Sequence, residues 1–475
     1  MNTLTIAWIA SPVIAGFVGY LFPKIARYLS LGVAIASVGY AFFMFAQPPL
    51  TLRLLDSFGV SLQVDSLSCF FILTNALVTT AILLYCWQTQ KTAFFYMQAL
   101  ILHGSVNAVF ICADLLSLYV ASEVIGIAAF LLVAYPRSDR AIWLGLRYLF
   151  TGNIAMLFYL VGVILLYQVQ QSFAFSGLQG APPEAIALIF LGLLSKGGVL
   201  VTGLLHAEAE PPVSALLSGV VIKAGTFPLL RFALMLEELA PIVTFLGVAT
   251  ALFGVSYALF EQDSRRLLAA STISQLGWIM VVPAAGGFYA LAHGLAKAAL
   301  FLTVGCLPSY NLKELAQNPI NTKLWIVLSI GSLSISGFPL LIGSSAKLLT
   351  LENLTFWPSL AMNIAATGTA ILYAKFIFLP HQPEDPQTSP RVTWFFWAAT
   401  SLLIAGLFLG NAISYQAYTL ENIMKVLAII GVGWLIHYAI AQRIAFKIPR
   451  ILEQLDHLVG VMSLLLVVLF WMVLA

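Results

Sequence analysis

Charge is scarce in this 475-residue chain. Asp, Glu, Lys and Arg make up 9% of it and hydrophobic residues 61%, whereas soluble globular proteins carry about 25% charged residues. A water-soluble domain cannot cover its surface with so little charge, but a protein surrounded by hydrocarbon can. Cysteine is sparse too. Cys69, Cys86, Cys112 and Cys306 lie in apolar stretches with no CxxC spacing, which leaves a disulfide framework, a zinc site or a Cys-ligated iron–sulfur cluster without support. No G-x-G-x-x-G opens a helix after a strand and no bis-histidine spacing occurs, so neither a cofactor nor a metal is expected. A net charge of +3 suggests no nucleic-acid partner. Met1 to Phe22 has no basic residue before Lys24, which suits a first spanning helix better than a signal peptide.

What is abundant is apolar sequence in long runs. Crossing about 30 Å of hydrocarbon takes roughly 20 apolar residues. Segments that pass lie near 4–22, 27–46, 64–87, 94–112, 115–134, 142–168, 185–205, 213–236, 241–260, 267–285, 286–307, 324–349, 358–380, 392–413, 423–442 and 457–475. The expected fold class is an all-α integral membrane protein of about 14–16 transmembrane helices. Basic residues test the count. If all these segments span, the odd-numbered loops hold Lys24, Arg27, Lys91, Arg137, Arg140, Arg265, Arg266, Lys313, Lys323, Arg391, Arg443, Lys447 and Arg450. The even-numbered loops hold only Arg53, Arg231 and Lys425. That bias places the odd loops in the cytoplasm and both termini on the opposite side.

Six basic residues remain inside the spans: Arg147, Lys196, Lys223, Lys297, Lys347 and Lys375. Arg147 is near a helix end and can snorkel. A lysine at mid-membrane costs about 2.5–3.5 kcal/mol on insertion scales and faces a protein interior or hydrated cavity. Lys297 follows His293 by four residues, on the same helical face, and Glu123 lies in LYVASEVIGIAAFLLVAY. A buried ion pair would account for any one of these, whereas titratable groups on successive helices are what a proton relay needs. Glu123 with Lys196 is the candidate switch, because a carboxylate that gains or loses a proton changes how firmly a nearby lysine holds its own. Two stretches interrupt the apolar pattern: HAEAEPPVSA at 206–215, with His206, Glu208 and Glu210, and SISGFPLLIGSSAK at 334–347. Proline and glycine there break the carbonyl ladder, as in transporter helices that open at a binding site.

These motifs resemble the antiporter-like subunits shared by Mrp-type multisubunit sodium/proton antiporters and respiratory complex I. DSRRLLAASTISQLGWIM (263–280) is similar to the family's D-x-K-R-x-L-A-x-S-T-I-S-Q-x-G, EPPVSALLSGVVIKAG (210–225) to A-P-x-P-V-S-A-x-x-H-x-x-x-x-K-x-G, HGLAKAALFLTVG (293–305) to H-x-x-x-K-x-x-L-F-x-x-x-G, and SISGFPLLIGSSAK to S-x-x-G-x-P-x-x-x-G-F-x-x-K. The resemblance implies roles for Glu123 as the carboxylate of the fifth helix, Lys196 on a broken seventh helix, Lys223 on the eighth, His293 at the centre and Lys347 on a broken twelfth. Lys297 completes this pathway, with His206, Glu208, Glu210, Ser218 and Lys375 as accessory candidates. It also implies two inverted five-helix repeats, here 94–236 and 241–380, between N-terminal helices (1–93) and C-terminal helices (392–475) with a possible interfacial helix at 443–456. The chain departs from the pattern at Ser122, where the family has tryptophan, and at Ser218, where it has histidine. His206 and Ala207 stand near the place of the usual aspartate, and the phenylalanine before Lys347 is absent.

By that resemblance the chain is a translocating subunit without a redox site of its own, working with other membrane subunits in a bacterial cell membrane or an energy-transducing internal membrane. The departures favour Mrp-type Na+/H+ antiport. The alternative is proton pumping within a complex I-type NAD(P)H or ferredoxin:quinone oxidoreductase.

Overall fold

The computed structural model describes residues 1–54, 60–199, 208–383, 392–441 and 454–474. Helices α1 (Asn2–Leu21) and α2 (Ala26–Phe45) are followed by an antiparallel hairpin of β1 (Leu50–Arg53) and β2 (Ser61–Val64). Next come α3 (Ser66–Tyr85), α4 (Ala93–Ile111), α5 (Leu115–Val133), the long α6 (Asp139–Gln170) and α7 (Pro183–Lys196). The middle of the chain forms α8 (Pro211–Leu216), α9 (Lys223–Met235), α10 (Ala240–Leu259), α11 (Ser264–Val281), α12 (Pro283–Val304) and the short α13 (Leu312–Gln317). Beyond β3 (Ile320–Asn321) lie α14 (Thr322–Ser336), α15 (Ile342–Glu352) and α16 (Phe356–Ile377), then β4 (His381–Gln382), parallel to β3. The chain ends in α17 (Trp394–Leu409), α18 (Leu420–Ile436) and α19 (Leu455–Leu474).

This is a multi-pass integral membrane protein. Among the described residues, thirteen helices are long and apolar enough to cross a bilayer. The three expected spans missing from that count have physical reasons. The α7 helix stops after 14 residues, α11 carries the polar run S-T-I-S-Q, and the segment 324–349 is split into α14 and α15. His206, Arg391 and residues 442–453 of the expected interfacial stretch lie outside the described residues.

Loops expected on the same side do meet. Lys91, before α4, pairs with Glu210 at 2.6 Å, and Arg140, in the first turn of α6, reaches Glu208 at 2.5 Å. Arg266, at the start of α11, lies 3.7 Å from Glu208 and 3.1 Å from Glu261. At the opposite end, Ala113 N–H donates to the Ser61 carbonyl and Leu115 N–H to that of Phe173. There Asp65 caps α3 and forms a two-pronged ion pair with Arg231, near the end of α9. A miscounted span would have brought odd loops against even ones.

The centre is formed by α8–α9 and α12, each buried along most of its length, with α3 between them and the N-terminal helices. Small residues set the spacing. A Cβ on Gly225 would collide with the backbone of Gly197, so α9 crosses directly against the end of α7. Gly337, at φ +92°, ends α14 in a left-handed turn, and five non-helical residues precede α15. The last helix, α19, returns to α7 and α6, burying Leu458, Met462, Leu465 and Leu469 on one face.

The first four helices are fastened by a polar circuit. Asn75 Nδ2 donates to the backbone carbonyl of His103 (2.9 Å) and to Asn107 Oδ1 (2.8 Å). A carbonyl only accepts, so this orients both amides: Asn75 Oδ1 faces the Thr79 hydroxyl (3.2 Å), and Asn107 Nδ2 donates to His103 Nε2 (3.2 Å). The His103 proton therefore resides on Nδ1 and is donated to Thr79 Oγ1 at 3.2 Å, closing the circle. Ser37 Oγ, 2.9 Å from Nε2, accepts from Trp8 Nε1 (3.0 Å) and ties in α1 and α2.

Candidate ion pathway

Helix α7 ends at Lys196 because Gly197 and Gly198, the latter at φ +71°, follow it. Its ammonium projects between α5 and α6 at two positions without side chains. Nζ lies 3.0 Å from where a Cβ on Gly126 would stand and 3.4 Å from one on Gly152. Glu123, one turn before Gly126, lies within its electrostatic reach. The two groups do not close into a hydrogen-bonded pair: Lys196 Nζ, Glu123 Oε1, Ser122 Oγ and Asn153 Oδ1 are all buried without a protein partner among the described residues. Buried polar atoms are ordinarily paired, with protein or with water. An ammonium and a carboxylate held close but apart, beside other open polar atoms, form a site that water or an ion can enter.

Lys223 lies at the junction of α9 with a single π-turn, Leu217–Val221, and its Nζ donates to the Gly219 carbonyl within that turn. Such turns leave carbonyls outside the regular helical ladder. Ser218, in the same turn, meets Thr272 Oγ1 of α11 at 2.7 Å. Thr272 donates to the Leu268 carbonyl (2.8 Å), which also accepts from Lys297 Nζ (2.7 Å). Lys297 donates further to Ser271 Oγ and, at 2.8 Å, to Tyr373 Oη of α16. An unbroken string of polar groups thus runs from the π-turn across α11 to α16. Lys223 and Lys297 are fully buried. His293, one turn before Lys297 and within the electrostatic reach of both lysines, has neither ring nitrogen hydrogen-bonded among the described residues.

Another buried lysine, Lys347, lies just after the break between α14 and α15. Lys347 Nζ donates to the Ser336 carbonyl (3.4 Å), at the electronegative C-terminus of α14, and lies 5.0 Å from the Trp278 ring centroid. Around it Ser332, Ser334, Ser336 and Ser344 hydroxyls and Trp278 Nε1 are buried and unpartnered among the described residues, as are Ser274 Oγ and Gln275 Nε2 nearer the centre.

The structure thus brings together two groups, Glu123 with Lys196, and Lys223 with His293 and Lys297. Lys347 lies farther along, at the helix break. The accessory residues have other attachments. Glu208 and Glu210 belong to the loop ion pairs, and Lys375 donates to the carbonyls of Leu259 (2.6 Å) and Glu261 (3.1 Å) at the end of α10. Sequence reasoning did not single out Asn153, Gly126, Gly152, Ser271, Thr272 or Tyr373. A signal existed only for the S-T-I-S-Q run, which is too polar for a lipid-facing helix.

Comparison with known proteins bears on this arrangement. The profile of the family described as NADH:quinone oxidoreductase/Mrp antiporter, TM, matches residues 112–372, more than half of the chain. The chain belongs to this family. It is 30% identical over 311 residues to NAD(P)H-quinone oxidoreductase chain 4 1 of Synechococcus elongatus, covering 58% of this chain and 58% of that one. The chain therefore spans less than two thirds of that curated relative. It is 26% identical over 393 residues to a Na(+)/H(+) antiporter subunit of Alkalihalophilus pseudofirmus, covering 73% of this chain and 80% of that one. Its fold superposes with a TM-score of 0.76 and 20% identity on a chain of the membrane-bound sulfane sulfur reductase, an archaeal respiratory membrane complex, covering 92% of this chain and 99% of that one. The matched stretch contains Glu123, Lys196, Lys223, His293 and Lys297, together with the helix break and Lys347.

Proposed function

We propose that this chain is a proton- and cation-translocating subunit of a multisubunit membrane complex, exchanging Na+ for H+. The observation that carries this reading is the axis of buried lysines, histidine and unpartnered hydroxyls from the α7 end to the α14–α15 break. Titratable groups buried at membrane depth are the parts from which a proton relay is made. In the proposed mechanism, Glu123 and Lys196 load and release a proton as the carboxylate moves toward or away from the ammonium. Lys223, His293 and Lys297 pass charge across the centre, and Lys347 exchanges it at the far side. Residues 94–236 and 241–380 would act as inverted halves, each contributing one half-channel around a broken helix.

Antiport is preferred because the Na(+)/H(+) antiporter relative is matched over 80% of its length. A second reading, redox-driven proton pumping, is supported by the higher identity to the quinone oxidoreductase chain. Everted vesicles containing the complete complex separate the two. Antiport requires that Na+ dissipate a preformed proton gradient, and that Lys196→Ala abolish the effect while the complex still assembles. Acidification driven by NAD(P)H or ferredoxin, indifferent to Na+, would establish pumping instead. Wild-type flux in Lys196→Ala would remove this chain from either role.

A further inference from the structure

A second site, unrelated to the lysine axis, lies on the basic face where α1 and α3 end and α2 begins. The α1–α2 turn supplies Lys24, the first turn of α2 supplies Arg27, and the segment after α3 supplies Trp87, Thr89 and Lys91 around a cavity of about 360 Å3. This lies within the usual range of small-ligand sites, about 300–1,000 Å3. Among the described residues, three cations line the cavity and no carboxylate does. Lys91 is already balanced by Glu210 at 2.6 Å and rests 4.7 Å from the Tyr135 ring centroid. Arg27 lies over Tyr28 (4.9 Å) and Trp87 (5.2 Å) and donates one bond, at 3.0 Å, to Tyr28 Oη. A guanidinium held flat by aromatic rings keeps further N–H groups to offer. Lys24 is exposed at the rim. Two positive charges therefore face the cavity with no acidic partner lining it.

Location decides what those charges meet. The cavity borders loops 1 and 3, on the side assigned to the cytoplasm by the basic-residue bias, where the leaflet carries anionic lipid. Beside it the end of α1 presents bare apolar surface, with Leu21 71% and Phe22 61% exposed, and Ile25 follows at 45%. A free anion has no use for that surface, whereas an acyl chain does. We propose that this cavity binds the phosphate headgroup of an anionic phospholipid, with Lys24 and Arg27 on the phosphate, the Tyr28 hydroxyl as a further donor, and the acyl chains along α1 and α2.

The test is delipidated full-length chain, titrated with phosphatidylglycerol, cardiolipin, phosphatidylcholine or inorganic phosphate, with bound lipid read by native mass spectrometry and stabilisation by thermal shift. Anionic lipid should bind and stabilise the wild type, and Lys24→Gln/Arg27→Gln should weaken that binding about 25-fold, the product of roughly fivefold for each charge removed. Lys24→Arg/Arg27→Lys, which retains both charges, should bind within about threefold of wild type and guards against a merely misfolded double variant. Equal binding of phosphatidylcholine, or of anionic lipid by the glutamine variant, would overturn the site. So would inorganic phosphate alone reproducing the full stabilisation. If the glutamine variant keeps its lipid but fails to join its complex, the cavity holds an acidic segment of a neighbouring subunit and the lipid assignment is wrong.

Discussion

His103 on α4 and His293 on α12 are equally buried, each 1% exposed, and their surroundings treat them in opposite ways. Both nitrogens of His103 are engaged, one giving and one receiving, in a circuit whose direction is set by a backbone carbonyl. Adding a proton there would turn the Nε2 acceptor into a donor facing the donor amide of Asn107. His293 has two ring nitrogens without protein partners among the described residues and lies within the electrostatic reach of two lysines. A histidine with both nitrogens filled holds helices together, whereas one with both left open at membrane depth calls for water or a moving proton. Burial and residue type alone do not separate the two. The state of the hydrogen bonds does.

The comparison breaks most sharply at Lys297. Its ammonium meets the Leu268 carbonyl, Ser271 and Tyr373, so it joins the polar groups of α11 to those of α16. Lys297→Ala should lower ion-dependent proton flux in vesicles about 100-fold or more, the low end of what a positioned proton-transfer group contributes. Tyr373→Phe removes one of the three contacts and should lower flux far less, about tenfold. Flux that survives Lys297→Ala would mean that the unpartnered atoms around His293 are packing defects and carry no charge.

A smaller disturbance tests the Lys196 end without touching a titratable group. Gly126→Ala places a methyl 3.0 Å from Nζ, and Gly152→Ala places one at 3.4 Å. Displacing a reacting group by about 1 Å can cost up to 100-fold. The expected order is a reduction of about tenfold for Gly126→Ala and distinctly less for Gly152→Ala, with expression and thermal stability near wild type. Equal flux in both variants would show that the ammonium position is not limiting.

Much of this architecture could be read from local sequence because the bilayer imposes its rule locally. About 20 apolar residues make a span, and each of the sixteen expected segments falls on a helix or on a broken pair. The alternation of basic loops had its counterpart in the Lys91–Glu210 and Arg140–Glu208 pairs. Gly337 and Pro339 announced the break before Lys347. What could not be read depends on contacts between distant helices. Nothing around Asn153 or Tyr373 marks either as a neighbour of a lysine 43 or 76 positions away. Asn75, Thr79, His103 and Asn107 each look like an isolated polar residue in an apolar helix. The strands β1–β4 escaped notice because they are two to four residues long and lie in loops.

At the N-terminus of α3, just before that span begins, Asp65 and its partner Arg231 test the closed kind of polarity by pH. Burial alone would raise the Asp65 pKa, but the hydrogen bonds and charge of Arg231, with help from Ser68, outweigh it and hold the carboxyl below its ordinary 3.8. A carboxyl depressed on folding stabilises the folded state above its unfolded pKa, and that contribution fades as pH falls through the lowered value. Asp65→Asn should therefore destabilise the protein at neutral pH by about 3 kcal/mol, since Arg231 is left buried without its counter-charge. The difference in melting temperature between wild type and variant should shrink only below about pH 3.8. A difference that already closes between pH 7 and 5 would assign the stabilisation to some other group.

The least effect on transport is expected at His103, and that makes it the sharpest control. His103→Leu leaves Asn107 Nδ2 and Thr79 Oγ1 each short of a partner, at a cost of about 1–3 kcal/mol per buried group. The melting temperature should fall accordingly, and flux per folded molecule should stay within about twofold of wild type. His293→Leu is the mirror image: it removes no protein hydrogen bond, so stability should hold while flux falls. Measured side by side, the two substitutions separate a polar group that braces from one that conducts. If His103→Leu also lost flux, the circuit on α3 and α4 would have to be counted as part of the pathway, and filled ring nitrogens would no longer mark a purely structural histidine.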